Sequence, residues 1–188
     1  MKIIFIDNFG LSTYNLAEEF EKNDCEVLVY GNDVDMKIIN DAVKKFKPKL
    51  IVITPGPENT AGNSVDVVRA YQGQIPILSI GLGCIIEAFE GKMSKPAANH
   101  NRIVKISHDG KTIFKRIESQ FVAGTYNSLA ASDVPYSLEV SARSENDVVM
   151  AVRHKECFVE GIQFDPSSLL TASGSLIIEN VIKEVGKK

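Results

Sequence analysis

Apolar residues along the first half of the chain fall in short, nearly unbroken runs. They are Lys2 to Asp7, Glu26 to Tyr30, Leu50 to Thr54 and Ile75 to Ile80. Runs of this length, rich in Ile and Val, predict strands buried on both faces. Between them the apolar spacing changes to that of helices. Leu11, Leu16 and Phe20 can share one face of a helix over 11–22. Met36 to Phe46 is helical and ends before Pro48, Val65 to Tyr71 forms a third helix, and Cys84 to Phe89 a short fourth. Strands alternating with helices imply βαβ units and a parallel sheet covered on both faces.

After Gly91 the runs shorten. Arg102 to Ser107, Gln120 to Val122, Ser137 to Ala142, Val148 to His154 and Phe158 to Phe164 predict shorter strands. Turn signals separate them, among them Asp109-Gly110, which reads as a hairpin turn. This half is expected to add antiparallel strands. A helix over 172–185 closes the chain, with Thr171 or Ser173 as its N-cap. The fold class expected is α/β: one domain over 1–188, a flavodoxin-like, mostly parallel sheet with helices on both faces and an antiparallel extension.

Composition narrows the function classes. The chain has 188 residues, 44% hydrophobic and 24% charged, with a net charge of −3. That is ordinary for a globular domain and argues against a nucleic-acid surface. No run is long enough for a membrane span, and the N-terminal run is too short for a secretory signal. Cys25, Cys84 and Cys157 are odd in number and lack metal-like spacing. They fit a reduced, cytoplasmic protein, and neither metal nor cofactor is expected.

One stretch stands out as a candidate site. Ile75-Pro76-Ile77-Leu78-Ser79-Ile80-Gly81-Leu82-Gly83-Cys84 runs an apolar strand straight into a helix through a glycine turn. That is the outline of a nucleophile elbow, where a sharp turn lifts one side chain clear of the sheet. An elbow normally carries Cys or Ser at its apex. Here the apex is Gly81. In an open parallel sheet the site lies beyond the carboxyl ends of the strands. The loops after Asp7, at Thr54-Pro55-Gly56-Pro57 and at Gly81 should therefore meet.

Seven fragments, in order, resemble the class I glutamine amidotransferases, and within them the small subunit of anthranilate and aminodeoxychorismate synthases. They are Asp7-Asn8-Phe9 with Thr13-Tyr14-Asn15, Tyr30-Gly31-Asn32-Asp33, Thr54-Pro55-Gly56-Pro57, His108-Asp109-Gly110-Lys111, Thr125-Tyr126-Asn127-Ser128-Leu129, Arg153-His154-Lys155-Glu156, and Glu160-Gly161-Ile162-Gln163-Phe164. The resemblance implies a glutaminase that hands ammonia to a partner synthase in tryptophan or folate biosynthesis. Such an enzyme uses a Cys nucleophile, a His base, a Glu that orients the His, and backbone N–H groups for the oxyanion. By the same resemblance the triad positions are Gly81, Asp165 and Ser167, so all three catalytic side chains are missing.

Other parts of the pocket also depart from the family pattern. The elbow helix is two residues short. His100-Asn101-Arg102-Ile103-Val104 replaces a segment with substrate-holding hydroxyls, and Glu58 brings a carboxylate to the oxyanion pocket. Gly56, Leu82, Glu58, Tyr126 and Asn127 are the expected remnants of the glutamine pocket. Asn15, Asn32, Asp33 and Tyr126 are the expected docking residues, for a large chorismate-using synthase subunit or a second copy of the chain.

The resulting expectation is a subunit inactive as a glutaminase, structural or regulatory in role. An alternative is a working amidotransferase or a different hydrolase with its nucleophile relocated to Cys84, whose place at a helix start would lower its pKa. A second alternative is a module that binds glutamine or a related small molecule. Cys25, Cys157 and the His108-Asp109 pair read as packing and turn residues. Asp165 with Glu58 is too small a set for a metal site.

Overall fold

The computed structural model describes residues 1–56, 62–95, 103–125 and 129–187. Five parallel strands form the centre: β1 (Lys2–Asp7), β2 (Glu26–Gly31), β3 (Leu50–Ile53), β4 (Ile77–Ile80) and β11 (Val159–Ile162). They lie in the order β2-β1-β3-β4-β11, and the sheet continues through β10 (Val149–His154), β9 (Leu138–Ser144), β6 (Ile103–His108) and β7 (Gln120–Gly124). These last four pair antiparallel, as expected. The last strand differs from expectation. β11 runs parallel to β4, with Val159 opposite Ile77 and Ile162 opposite Ile80, so it belongs to the parallel half.

The helices divide between the two faces. α1 (Thr13–Glu21) and α5 (Gly174–Gly186) pack with Ile3, Phe5, Leu78, Ile80 and Ile162 on one side. α2 (Met36–Phe46), α3 (Ser64–Tyr71) and α4 (Gly83–Ala88) pack with Ile4, Ile6, Ile51, Ile53 and Ile77 on the other. Alternate strand residues thus feed opposite layers, which is why β1, β3 and β4 read as unbroken apolar runs. α2 shows how local signals fix its ends. Asp35 accepts from the N–H of Lys37 at 2.7 Å, and Lys47 turns left-handed just before Pro48.

Several local expectations fail for physical reasons. α1 starts at Thr13, not Leu11, and Leu11 is fully exposed. Asp109-Gly110 does not close a tight hairpin, because a 3₁₀ turn at Thr112–Phe114 lies between β6 and β7. Asp109 instead caps Lys111 and pairs with Arg153. Ser173 is the N-cap residue of α5 but makes no side-chain cap. Thr171 fastens the preceding loop, donating to the Asp165 carbonyl at 2.7 Å and accepting from the Gly124 N–H at 3.0 Å. A second, two-stranded sheet of β5 (Lys92–Ser94) and β8 (Ala130–Asp133) stands apart from the main one.

A charged ladder crosses the sheet at the end away from the elbow. Arg153 lies opposite both Glu139 and Glu160. Its Nε donates to Glu139 at 3.1 Å, its Nη1 to Thr112 at 2.8 Å and its Nη2 to Asp109. Glu160 is 1% exposed, and neither carboxylate oxygen has a hydrogen-bond partner. Burial pushes its carboxyl up to about 7; the nearby Thr112 hydroxyl and Arg153 charge offset this only in part. Among the described residues no helix is long and apolar enough to cross a membrane, and no group of three acidic, His or Cys side chains is placed to hold a metal.

Candidate functional site

Of the loops expected to meet, those after Asp7 and at Thr54 bond to each other, and the segment after β2 joins them. Asp7 Oδ1 accepts from the Thr13 hydroxyl at 2.6 Å and the Phe9 N–H at 2.9 Å. Asn8 Nδ2 donates to the Thr54 carbonyl at 2.8 Å. Asn8 Oδ1 accepts from Asn32 Nδ2 at 2.7 Å and from the Ser64 hydroxyl at 2.6 Å. Gly56 lies so close to this loop that a Cβ on it would sit 2.3 Å from the Asn8 carbonyl oxygen. Only glycine permits that approach.

This network corrects one docking assignment. Asn32 is buried at 3% exposure and holds Asn8, so it offers nothing to a partner. Buried polar side chains persist when bonded, and this one is. Asn15 and Asp33 are exposed. They remain available, together with Tyr14 and Leu11 beside them. Glu58, Tyr126 and Asn127, like His100, lie outside the described residues.

The elbow is formed, at the end of β4 beside β3. Gly81 has φ +103, a left-handed conformation that L side chains rarely adopt, and its N–H bonds to the Ile162 carbonyl at 2.7 Å. Among the described residues, its chain neighbours aside, a Cβ built on Gly81 meets no atom within 4 Å. The apex of the turn carries no side chain.

Leu82 departs from its expected place in the glutamine pocket. Its N–H donates to Gln163 Oε1 at 3.0 Å. Both residues are buried, and Gln163 Nε2 is anchored on the Leu129 carbonyl at 2.7 Å. The first N–H groups of a helix lack intrahelical partners, and here a side chain from the end of β11 supplies one. This correction removes Leu82 from the set of free anion donors.

Cys84 is also corrected. Its thiol is pushed up to about 11 by burial, against the lowering expected at a helix start. Hydrogen bonds from the Ser79 hydroxyl and from the Cys84 and Ile85 backbone pull the other way and offset the burial only in part. The Ser79 hydroxyl lies 2.7 Å from the Gly81 carbonyl, to which it donates, and 3.1 Å from Cys84 Sγ.

Beyond the end of β11, Asp165 and Ser167 bond to each other. Asp165 Oδ1 accepts from the Ser167 N–H at 2.8 Å and its hydroxyl at 2.7 Å. Asp165 is 6% exposed, and its N–H bonds to the Gly124 carbonyl at 3.0 Å. β11 runs parallel beside β4, so this pair and the elbow both follow the carboxyl ends of neighbouring strands.

The family model for glutamine amidotransferase class-I matches residues 4–185. The chain belongs to the class I glutamine amidotransferase family. It is 39% identical over 181 residues to anthranilate synthase component 2 of Methanocaldococcus jannaschii, covering 93% of this chain and 89% of that one. The corresponding protein of Thermus thermophilus is 36% identical over 192 residues, covering 98% and 93%. The chain spans only 52% of the multifunctional tryptophan biosynthesis protein of Pichia angusta, at 34% identity. A solved structure from Thermoplasma acidophilum, provisionally described as part of a GMP synthase, superposes with a TM-score of 0.88 at 19% identity, over 100% of this chain and 94% of that one. That likeness establishes the shared α/β fold.

Within this amidotransferase fold the residue that sequence reasoning missed is Gln163. In the sequence it is only one letter of a matching fragment. Its contact with Leu82 spans 81 positions and depends on a side-chain direction that no local pattern encodes.

Proposed function

We propose that this chain is the amidotransferase-type subunit of a chorismate-using synthase, and that it does not itself hydrolyse glutamine. The observation that carries the reading is Gly81: the elbow is folded, and its apex has no nucleophile. Three further features support it. Leu82 is committed to Gln163, burial pushes the Cys84 thiol up to about 11, and Asp165 and Ser167 are bonded to each other. Loss of triad members from a Ser or Cys hydrolase lowers the rate by about 10⁴–10⁶.

The role left is docking. The names of the relatives point to the tryptophan branch, with the large component of the synthase as partner. The rim around the elbow supports an interface, since Leu11, Tyr14 and Leu169 are exposed on the segments following β1 and β11. In this reading the partner draws on free ammonia, and this chain stabilises or regulates it. The test is co-purification with the large subunit, followed by synthase assays with glutamine or with ammonium as nitrogen source. Activity with ammonium alone supports the reading. Glutamine-dependent activity that follows this chain through purification overturns it.

A further inference from the structure

Among the described residues the nine-stranded sheet ends on one side at β7, which pairs with β6 alone. Backbone groups along a strand point alternately to its two sides. The Lys105 carbonyl accepts from the Glu145 N–H at 3.0 Å, so Lys105 faces β9, and Val104 and Ile106 face β7. Register pairs these two with Ala123 and Phe121. Gln120, Val122 and Gly124 therefore present their N–H and C=O groups away from β6. Gly124 has the same phase: its N–H donates to the Thr171 hydroxyl and its carbonyl accepts from the Asp165 N–H, both at 3.0 Å. At Gln120 and Val122 no strand of the described residues lies on that side.

An open edge is a template for further pairing, and proteins blunt such edges with Lys, Pro, a bulge or a covering loop. Here the covering loop reaches Gly124 and stops. Gln120-Phe121-Val122-Ala123-Gly124 holds neither a charge nor a proline, and it pairs with β6 without a register shift. Val122 and, diagonal to it on the same face, Ile103 are half-exposed.

We propose that β7 is a self-association edge: β7 of a second copy pairs with it antiparallel, about a two-fold axis at Phe121. Gln120 of each copy then lies opposite Val122 of the other, and every outward donor at these positions meets an outward acceptor. Fit selects this occupant. The free stretch is bounded by the loop at Gly124 and by Glu118, whose carbonyl turns back to His108 Nε2 at 2.7 Å. β7 offers donors and acceptors at that spacing over that length. In the second copy it begins at Gln120, so it runs out before it meets the Gly124 loop. No charge enters the seam, since Lys105 lies one strand back, opposite Val122. One short strand pair buries far less than the roughly 1,000 Å² of a stable interface, so the dimer is weak. β7 stands at the opposite end of the strand order from β2, so this edge is separate from the docking residue Asp33.

The test is sedimentation velocity of the full chain from about 10 μM to 1 mM, with amide hydrogen exchange on the same samples. Expected are a monomer at the low end, a dimer at the high end, and exchange at Gln120 and Val122 that slows as concentration rises. Val122→Glu sets a carboxylate opposite Lys105 of its own chain but brings like charges together across the axis. It should melt as the wild type does and dimerise about tenfold more weakly or less. Val122→Pro removes an N–H that β6 does not use and should weaken the dimer likewise. A monomer throughout, a dimer unchanged in both variants, or exchange at these amides independent of concentration would each overturn the proposal. So would species larger than a dimer, which would show β7 pairing head-to-tail with another edge.

Discussion

The Leu82 N–H points at Gln163 Oε1, 3.0 Å away, so the elbow's first amide donor is already satisfied from within the protein. This bond couples β4 to β11 at the position that the proposed reading assigns to an oxyanion donor. Loss of one oxyanion donor lowers a rate by about 10²–10³ on its own. Gly81→Cys, Asp165→His and Ser167→Glu together should therefore leave glutamine turnover at background. The thiol of Gly81→Cys, whose Cβ meets no atom of the described residues beyond its chain neighbours, should nonetheless alkylate readily. Family-like turnover by the triple variant would show that the pocket still works as an oxyanion site.

Cys84 should be unreactive. A thiol pushed up to about 11 holds about a hundredfold less thiolate near neutral pH than one at its ordinary value of 9.0. Its iodoacetamide labelling, followed by mass spectrometry, should be slow near pH 8 and rise steeply only above about pH 10. Fast labelling near pH 8 would revive it as a nucleophile.

Glu160 makes stability fall as pH rises. Its folded carboxyl titrates at about 7, above the ordinary 4.5, so the folded state keeps a proton that the unfolded chain has lost. Below about pH 4 both states are protonated and the group contributes no penalty. Between about pH 4.5 and 7 the penalty grows, to on the order of 3 kcal/mol above pH 7. Glu160→Gln should remove this slope and raise the melting temperature at alkaline pH. An unchanged pH profile in E160Q would assign the slope to other groups.

Asn32 and Asp33 are neighbours with different expected roles. Asn32→Ala strips a buried partner from Asn8 and should lower stability by about 1–3 kcal/mol in denaturant melts. Asp33→Lys with Tyr14→Ala, both exposed, should leave the melt within about 0.5 kcal/mol and abolish capture of the large synthase subunit. Retained capture by the double variant would move the docking surface elsewhere.

The parallel half is legible in the chain because β1, β3 and β4 are almost wholly buried, and such strands must be apolar nearly throughout. The elbow is legible too, as an apolar run that ends in closely spaced glycines. Contacts between distant side chains are not. Arg153 and Glu160 stand in two separate fragments, yet register places them opposite each other. β5 and β8, of three and four residues, are too short and mixed to show a period. Asn32 reads as a surface residue in the sequence because its bond to Asn8 closes only once β1 and β2 are paired.

The most direct measurement is glutamate release from glutamine by the purified complex of this chain with its large synthase subunit. The account predicts release no faster than in buffer, alongside synthase activity that requires added ammonium. Glutamate release stoichiometric with product, lost when this chain is omitted, would contradict it.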